Sequence, residues 1–221
     1  MKIVIEKGQR VYFTSDTHYN HTNICRGVST WDGSRGTRDF NTLHQMNSVL
    51  VNGINSIVGE NDVLIHLGDW SFGGIDSIAE FRNQIVCKNI RLILGNHDHH
   101  IASNKNDVQD LFSSVNEICY MTIVEQAISK GLPAQKHRFV LSHFPIASWQ
   151  DMGQGVVHLH GHVHLPKGQR VGPGKMMDVG VDGNGMDPYS IDEIIKIMDK
   201  RPVAFEMNGD HHFDGLVGVV G

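Results

Sequence analysis

The chain has few cysteines and no long apolar run, and each deficit excludes a class of protein. The three cysteines, Cys25, Cys87 and Cys119, are far apart and form no Cys-x-x-Cys pair. This spacing indicates neither a disulfide framework nor a thiolate-ligated metal, and it predicts buried free thiols in a reducing compartment. No run approaches the ~18 apolar residues of a membrane span. Because the first residues also lack the apolar core of a signal peptide, we expect a cytoplasmic protein with no membrane partner.

Charged residues are scarce as well. They make up 19% of the chain, below the ~25% usual for soluble domains. The formal net charge of −5 is a weak argument against a protein that grips long duplex nucleic acid by neutralising its phosphates. The 221 residues are 40% hydrophobic, so the chain can bury a large core. We expect one domain over residues 1–221, in which the Gly-rich segment 208–221 forms a flexible tail.

The first half of the chain alternates between strand and helix patterns. Strands are predicted at 10–14, 62–67 and 89–94, and helices at 39–58 and 75–85. The strand predictions rest on short continuous apolar runs, and the helix predictions on apolar residues spaced by three and four. This alternation favours parallel strands joined by crossover helices. The polar, Gly-rich segment 17–38 is predicted to be a loop.

The second half is richer in strand patterns. Strands are predicted at 115–127, 139–141, 156–159, 176–181 and 203–206. A helix is predicted over 191–198, because Ser190 can cap its start and Glu193 stands three residues later, as in a capping box. Together the two halves predict an α/β fold.

Polar clusters follow the ends of five predicted strands. They are Asp16-Thr17-His18, Gly68-Asp69, Gly95-Asn96-His97-Asp98, Ser142-His143 and His160-Gly161-His162-Val163-His164. In open α/β sheets, ligands collect at the carboxyl ends of the strands, which is where these clusters fall. They offer carboxylate, imidazole and amide groups but no thiolate. This mixture suits a pair of divalent cations better than a structural zinc site.

The two carboxylates that open the series have simple structural alternatives. Asp16 and His18 are two residues apart, so an extended segment would present both to one ion. The alternative is a turn aspartate beside a surface histidine. The carboxylate of Asp69 can bridge two cations, but Asp is also a preferred residue at the start of a helix.

The third cluster combines a ligand with a proton donor. Asn96 can offer its amide oxygen to a metal, whereas the adjacent His97 would point elsewhere and serve as a proton donor. Asp98 can orient that imidazole by accepting from its ring N–H. The alternative is an ordinary turn, which Asn and Asp favour after Gly. We interpret His99 and His100 as loop residues.

The later histidines complete the set of ligands. His143, His162 and His164 are candidate ligands, since imidazoles that are neutral at pH 7 bind metals readily. The alternative is that outward strand positions happen to be histidine. For His158 and His160 the sequence leaves open whether they face the core or solvent.

The order of these motifs resembles that of the calcineurin-like metallophosphoesterase family. D-x-H, G-D, G-N-H-D, H and G-H-x-H follow one another between about Val11 and Met198. The segments 14–18 and 178–182 are similar to those of small phage and bacterial members. The resemblance implies a four-layer α/β/β/α sandwich of two mixed β-sheets flanked by helices. It also implies a bacterial cytoplasm, or that of the host for a phage protein.

The resemblance also implies a role for each site residue. Asp16, His18 and His164 would bind one metal, Asn96, His143 and His162 the other, and Asp69 would bridge them. His97, supported by Asp98, would be the catalytic histidine. Two divalent cations are implied, Mn²⁺ first, with Fe, Zn, Ni and Co also compatible with mixed N/O ligation. The implied reaction is phosphoester hydrolysis by a hydroxide that the two cations share.

One departure from the family bears on the substrate. Protein Ser/Thr phosphatases of the superfamily carry an acidic residue and an arginine just after the bridging aspartate, but here residues 70–74 read Trp-Ser-Phe-Gly-Gly. This favours a small phosphoester or nucleotide substrate, with a phosphodiester of a nucleotide, cyclic nucleotide or nucleic-acid end as the leading hypothesis. A nuclease or phosphomonoesterase of the same superfamily is the alternative, and a non-catalytic scaffold ranks third.

Three surface features extend the substrate hypothesis. Trp70 and Phe72 can either stack on a base or pack against the sheet. The basic segment 167–175 is predicted to be a hairpin that contacts phosphate or is simply solvated. The loop 19–38 carries Arg26, Arg35 and Arg38 and is a candidate cap over the site.

Overall fold

The computed structural model describes residues 1–31, 38–104, 107–125 and 134–203. In these ranges the strands are β1 (Lys2–Ile5), β2 (Val11–Thr14), β3 (Val63–His66), β4 (Asn89–Ile93), β5 (Ser114–Asn116), β6 (Ile118–Glu125), β7 (Gln135–Ser142), β8 (Val157–His160), β9 (Met176–Asp178) and β10 (Tyr189–Ser190). The α-helices are α1 (Leu43–Ile57), α2 (Ile75–Gln84), α3 (His99–Ser103) and α4 (Ile191–Met198).

The strands form two five-stranded sheets. The first sheet has the order β10-β2-β3-β4-β5, and the second has the order β1-β6-β7-β8-β9. In the first sheet β2 to β5 are parallel and β10 is antiparallel, whereas in the second only the β6–β7 pair is antiparallel. Both sheets are therefore mixed, which confirms the predicted α/β fold.

The core follows from the two-residue period of the strands. In β2, Val11 and Phe13 point into the layer between the sheets, where Phe13 meets Phe139 of β7 with ring centroids 5.3 Å apart. Tyr12 lies on the opposite face and packs in a second cluster with residues of α1, α2 and α3, among them Ile54. The first sheet is thus buried on both faces, as parallel sheets usually are.

The outer face of the second sheet is covered differently. Val140 of β7 and Met176 of β9 pack against Trp149, Met152 and Val156 of the segment that follows β7. Helix α4 instead adds Ile191, Ile194 and Met198 to the layer between the sheets. The predicted capping box at its start is present: the Ser190 side chain accepts from the Glu193 amide, and the Glu193 carboxylate accepts from the Ser190 amide.

Several local predictions were wrong or incomplete. Helix α1 begins at Leu43 rather than 39, because Thr42 caps it by accepting from the Gln45 amide. His99 and His100 are not loop residues but begin α3. The segment 167–175 contains turns and bends and no hairpin. Strand β1 was not predicted.

Two predictions fall partly or wholly outside the described residues. The strand expected at 203–206 reaches the description only at Val203, and the tail 208–221 lies beyond it. The three cysteines are free and buried, as predicted. No helix in the described ranges is long and apolar enough to cross a membrane.

Candidate metal centre

The polar clusters of both sheets meet at one end of the sandwich. The backbone amide of His162 donates to both carboxylate oxygens of Asp16, at 3.1 and 3.0 Å, and joins the two sheets at this end. A cleft of about 590 Å³ opens here. It is lined by His18, His21, Asn23, Ile24, Trp31, Asp69, Asn96, His97, His162, Val163, His164 and Asp182.

Five of the seven predicted ligands have left-handed backbone conformations. The φ angle is 56° at Asp16 and Asp69, 47° at His18, 73° at His162 and 49° at His164. Asp and His enter this region more readily than most residues, but it is uncommon for any residue with a Cβ. The backbone thus turns sharply at these ligands, and the extended segment expected at residues 16–18 is absent. Such strain concentrates at functional sites, where surrounding contacts hold it in place.

Two motif glycines let the backbone approach the carboxylates closely. A Cβ on Gly95 would collide with Oδ1 of Asp69, and one on Gly161 would collide with Oδ2 of Asp16. Here the absence of a side chain matters more than backbone freedom. The glycines of the G-N-H-D and G-H-x-H motifs therefore have a direct steric role.

Asp16, His18 and His164 converge on a first position. One ligand atom of each lies within 4.8 Å of the others. His18 Nε2 lies 3.3 Å from His164 Nε2, which in turn lies 3.7 Å from Asp16 Oδ1. Ligand bonds of ~2.0–2.2 Å place the ligand atoms of one ion roughly 3 Å apart. These three side chains are therefore spaced to hold one divalent cation.

Asn96, His143 and His162 converge on a second position. Oδ1 of Asn96 lies 3.0 Å from Nε2 of His143 and 2.9 Å from Nδ1 of His162. His143 is nearly fully buried, while Asn96 and His162 are exposed. This position therefore faces the cleft more openly than the first.

Asp69 lies between the two positions. Its Oδ2 is 3.4 Å from Nε2 of His18 and 3.4 Å from Nε2 of His143, while Oδ1 accepts from the backbone amide of His97 at 2.9 Å. Burial opposes ionisation, but these imidazoles and the amide lower the pKa of the Asp69 carboxyl far below its usual value. A carboxylate whose ionised form is favoured and which lies between two ligand sets has the position that a bridging ligand requires.

The donor set fits cations. The carbonyl of Leu67 accepts from Nδ1 of His143 at 2.8 Å, which directs Nε2 toward Oδ1 of Asn96 and Oδ2 of Asp69. Because both oxygens are acceptors, the space between them and Nε2 suits a proton or a cation. At the first position, burial raises the pKa of the Asp16 carboxyl to about 7, although the nearby imidazoles of His164 and His143 oppose this rise. A divalent ion would satisfy both features.

Asp182 and Arg38 brace the first position, a role that sequence reasoning missed. Oδ2 of Asp182 accepts from Nδ1 of His164 at 2.7 Å, which directs Nε2 toward Asp16. The Arg38 guanidinium donates to Asp182 at 2.8 and 2.9 Å and also to the carbonyls of Asp16 and Thr17. A carboxylate behind a ligating histidine fixes its tautomer and orientation. Only the placement of Asp182 in the segment 178–182 hinted at this.

The predicted role of Asp98 needs correction. Its carboxylate accepts from the backbone amides of Asp69, Trp70 and Gly95 at 2.8 to 3.0 Å. No hydrogen bond among the described residues joins it to the ring of His97. Asp98 therefore holds the loops that carry Asp69 and Asn96 in place and does not orient the His97 imidazole.

His97 lies beside the ligand cage, which consists of the two sets of predicted ligands and Asp69 between them. One of its ring nitrogens lies within 4.8 Å of ligand atoms of His18 and Asp69, so the ring is close enough to be a ligand or a proton donor. Its neighbour His21 stacks on Phe72 with ring centroids 3.9 Å apart and an interplanar angle of 4°. Burial, followed by the proximity of His97, lowers the pKa of His21 to about 4. The site thus includes the imidazole of His21 beside that of His97. This ring is neutral near pH 7, and sequence reasoning did not single it out.

The remaining residues that the sequence suggested for substrate or metal binding lie away from the cleft or already have hydrogen-bond partners within the protein. Trp70 is fully buried and donates from Nε1 to the carbonyl of Ile78, so it cannot stack on a base. His158 and His160 are fully buried and donate from Nδ1 to backbone carbonyls. Arg38 is occupied by Asp182, and Arg35 lies outside the described residues.

Comparisons with known proteins found two similar chains. An uncharacterised protein of Methanocaldococcus jannaschii, MJ1445, is 25% identical over 205 residues, which cover 90% of this chain and 97% of that protein. The crystal structure of the Aquifex aeolicus protein AQ665, a protein of unknown function, matches with a TM-score of 0.58 and 22% identity over 86% of this chain and 100% of that one. This second likeness concerns the fold alone.

A family model covers most of the chain. The model of the calcineurin-like phosphoesterases matches residues 9–187, a range that begins before β2 and ends beyond Asp182. It therefore includes all seven residues that were predicted as ligands, as well as His97. The chain belongs to the calcineurin-like phosphoesterase family.

Proposed function

We propose that the protein is a dinuclear metal-dependent phosphodiesterase that acts on a nucleotide-like phosphodiester. The observation that carries the proposal is the convergence of two ligand sets on one carboxylate. Asp69 lies 3.4 Å from His18 of the first set and 3.4 Å from His143 of the second. Two-metal sites of this kind serve in-line displacement at phosphorus.

The charge of the cleft supports a diester rather than a monoester. No lysine or arginine is among the described residues that line it, and the nearby Arg38 is paired with Asp182. A phosphomonoester near neutral pH carries about two negative charges, while a diester carries only one. A cleft without side-chain cations suits the substrate with the smaller charge.

The ligand residues and the cations would have different roles in the reaction. When bound, two divalent cations would activate water and neutralise the phosphoryl oxygens. Asp16, His18 and His164 would hold one and Asn96, His143 and His162 the other, with Asp69 shared. Mixed N/O ligation accepts Mn²⁺, our first choice, and also Fe, Zn, Ni or Co. The three buried free thiols suit the reducing cytoplasm that we propose as its location.

His97 supplies the proton that the reaction needs. In hydrolysis a water molecule releases one proton to the solvent while its oxygen forms a new bond to phosphorus, and the bond from phosphorus to the leaving oxygen breaks. The leaving oxygen then takes a proton, which a protonated His97 beside the cage can donate. A well-placed general acid contributes about 10²–10⁴-fold to the rate. The hydrogen bond from the His97 amide to Asp69 fixes this residue relative to the cage.

A panel of phosphoesters tests the proposal. The purified protein, loaded with Mn²⁺, is assayed on bis-p-nitrophenyl phosphate, p-nitrophenyl phosphate, and single-stranded and duplex oligonucleotides. We expect the diester to be hydrolysed with a higher kcat/KM than the monoester. A faster monoester reaction would assign a phosphomonoesterase, and internal cleavage of the oligonucleotides would assign a nuclease. No turnover with any of Mn²⁺, Fe²⁺, Zn²⁺, Ni²⁺ or Co²⁺ would leave a binding scaffold.

A further inference from the structure

A second cavity adjoins the metal cleft. It has a volume of about 300 Å³, and its walls include Ser71, Phe72, Ile78, His97, His99 and His100. His97 lines this side pocket as well as the metal cleft. The volume is at the lower end of the ~300–1,000 Å³ range of small-molecule sites. It is suited to one small group that continues from the cleft past His97.

An aromatic pair separates the two cavities. His21 lines the metal cleft and Phe72 lines the side pocket, and their rings stack at 3.9 Å. Phe72 is 38% exposed although it is a large apolar residue. Phe72 stacks on His21 and also contacts the ring of His97 at a centroid distance of 5.2 Å, and its remaining exposed surface is available to a planar ligand.

The side pocket also contains a polar group that lacks a partner. Ser71 is 7% exposed, and its buried Oγ has no hydrogen-bond partner among the described residues. Buried hydroxyls are nearly always paired, and rotation of the Ser71 side chain about χ1 can turn this one toward the pocket, where a bound group or an ordered water would pair with it. The hydroxyl can both donate and accept. The exposed imidazoles of His99 and His100 add further polar contacts at the rim.

We propose that the side pocket binds the leaving-group half of the phosphodiester and that this half carries a nucleobase. The inference rests on the proposed function, since His97 is the proton donor only if the leaving oxygen lies on its side of the metals. The pocket offers one aromatic face, an apolar contact in Ile78 and the imidazoles of its rim, and its one acidic wall residue, Asp98, is buried and already accepts from three backbone amides. No lysine or arginine is among its described walls, which disfavours a second phosphate. A neutral planar ring with polar edges fits this combination.

Kinetics with matched substrates test the pocket. A deoxydinucleotide is compared with the methyl ester of the corresponding nucleotide, so that the nucleoside leaving group is replaced by methanol. Loss of one base–aromatic contact is worth about tenfold. We therefore expect Phe72→Ala to lower the ratio of kcat/KM for the dinucleotide to kcat/KM for the methyl ester about tenfold. Phe72→Tyr, which keeps the ring, should restore the wild-type ratio.

Ile75→Ala is the matched control, because Ile75 is an exposed apolar residue of the same segment, 47% exposed, and lines neither cavity. It should change neither substrate's kcat/KM. An unchanged substrate ratio in Phe72→Ala would overturn the side-pocket assignment while the phosphodiesterase assignment stands.

A binding measurement separates failure of this inference from failure of the proposed function. Saturation-transfer NMR with free thymidine and adenosine is performed on the metal-free protein. We expect a signal that Phe72→Ala removes and Trp31→Ala retains. A signal that instead depends on Trp31 would place the base in the metal cleft and refute the inference. Absence of any signal would refute it as well, whether or not the protein hydrolyses phosphoesters.

Discussion

The two candidate metal positions have similar predicted ligands but different surroundings. At the first, Asp16 and His18 are buried and His164 is held by the Asp182–Arg38 pair. At the second, His143 is buried, but Asn96 and His162 are exposed. The hydrogen bonds of the Asn96 side chain among the described residues go only to His143 and His162. The surrounding fold therefore holds the side chains of the first position in place. The side chains of the second position are held largely by contacts with one another.

The charges of the predicted ligands also differ between the two positions. The first position combines the Asp16 carboxylate with the shared Asp69, whereas the second combines Asp69 with neutral Asn and His side chains. Burial raises the pKa of Asp16 to about 7, so its ionised form gains most from a nearby cation. We therefore expect the first position to bind its ion more tightly and the second to lose its ion first. The following variants test this asymmetry.

Removal of the shared ligand should have the largest effect. Asp69 is 2% exposed and contacts both ligand sets, so Asp69→Ala should weaken both positions together. We expect fewer than one ion per chain by elemental analysis after gel filtration, and phosphodiester hydrolysis at background. Retention of two ions would show that the positions are independent and that Asp69 does not bridge them.

His97→Ala should separate catalysis from metal binding. The ring lies beside both His18 and Asp69, so its distance from the cage alone does not distinguish a proton donor from a ligand. As a general acid it should account for about 10²–10⁴-fold in kcat, with both ions retained. Kinetics and elemental analysis on the same preparation distinguish the roles. If an ion is lost in proportion to the rate, His97 belongs to the cage.

Asp182→Asn should weaken the first position selectively. The amide keeps the size of the side chain but removes the charge that fixes His164 and pairs with Arg38. Loss of such a supporting carboxylate typically costs about 10–100-fold in metal affinity. We expect that loss in the tighter step of a competitive chelator titration and none in the weaker step. Asp182→Glu should restore part of the affinity if orientation of His164 is the cause.

Asp151→Asn is the matched control for Asp182→Asn. Asp151 also pairs with an arginine, Arg138, at 2.8 Å, but both side chains are partly exposed and neither lines the cleft. Exposed ion pairs contribute ~0–1 kcal/mol to stability, so neither titration step should change. Equal loss in both variants would mean that carboxylates act through global stability rather than through His164.

Sequence reasoning named the residues that converge in the cleft but gave the wrong local reason for their convergence. Asp16 and His18 were expected to share a face because extended residues alternate, yet both have positive φ and the chain turns at each. The motifs nevertheless lie together, because parallel strands bring their carboxyl ends to one edge. That argument depends on topology, which the alternation of strand and helix patterns predicts well.

Contacts between distant segments could not be predicted from spacing. Arg38 and Asp182 are 144 residues apart, and neither has a local pattern that predicts the other. For Trp70, which follows Asp69, the sequence left open stacking on a base or packing against the sheet, and the structure buries it between α2 and Phe112. Whether a side chain near a motif faces the cleft or the core depends on packing, which composition and period do not specify.

The smallest effect should come from the helix cap, which lies outside the metal cleft. Ser190→Ala removes the acceptor for the Glu193 amide at the start of α4 and should lower the free energy of unfolding by about 1 kcal/mol. Helix α4 packs between the sheets through Ile194, and Ser190 pairs with Tyr12 of β2, the strand that leads to Asp16. If the first position is preorganised by its own braces, Asp182 and Arg38, chelator titration of this variant should match wild type even though urea unfolding shows the lost stability. If metal affinity at the first position instead falls in proportion to the lost stability, the difference in affinity between the two positions depends on the stability of the whole fold and not on Asp182 and Arg38.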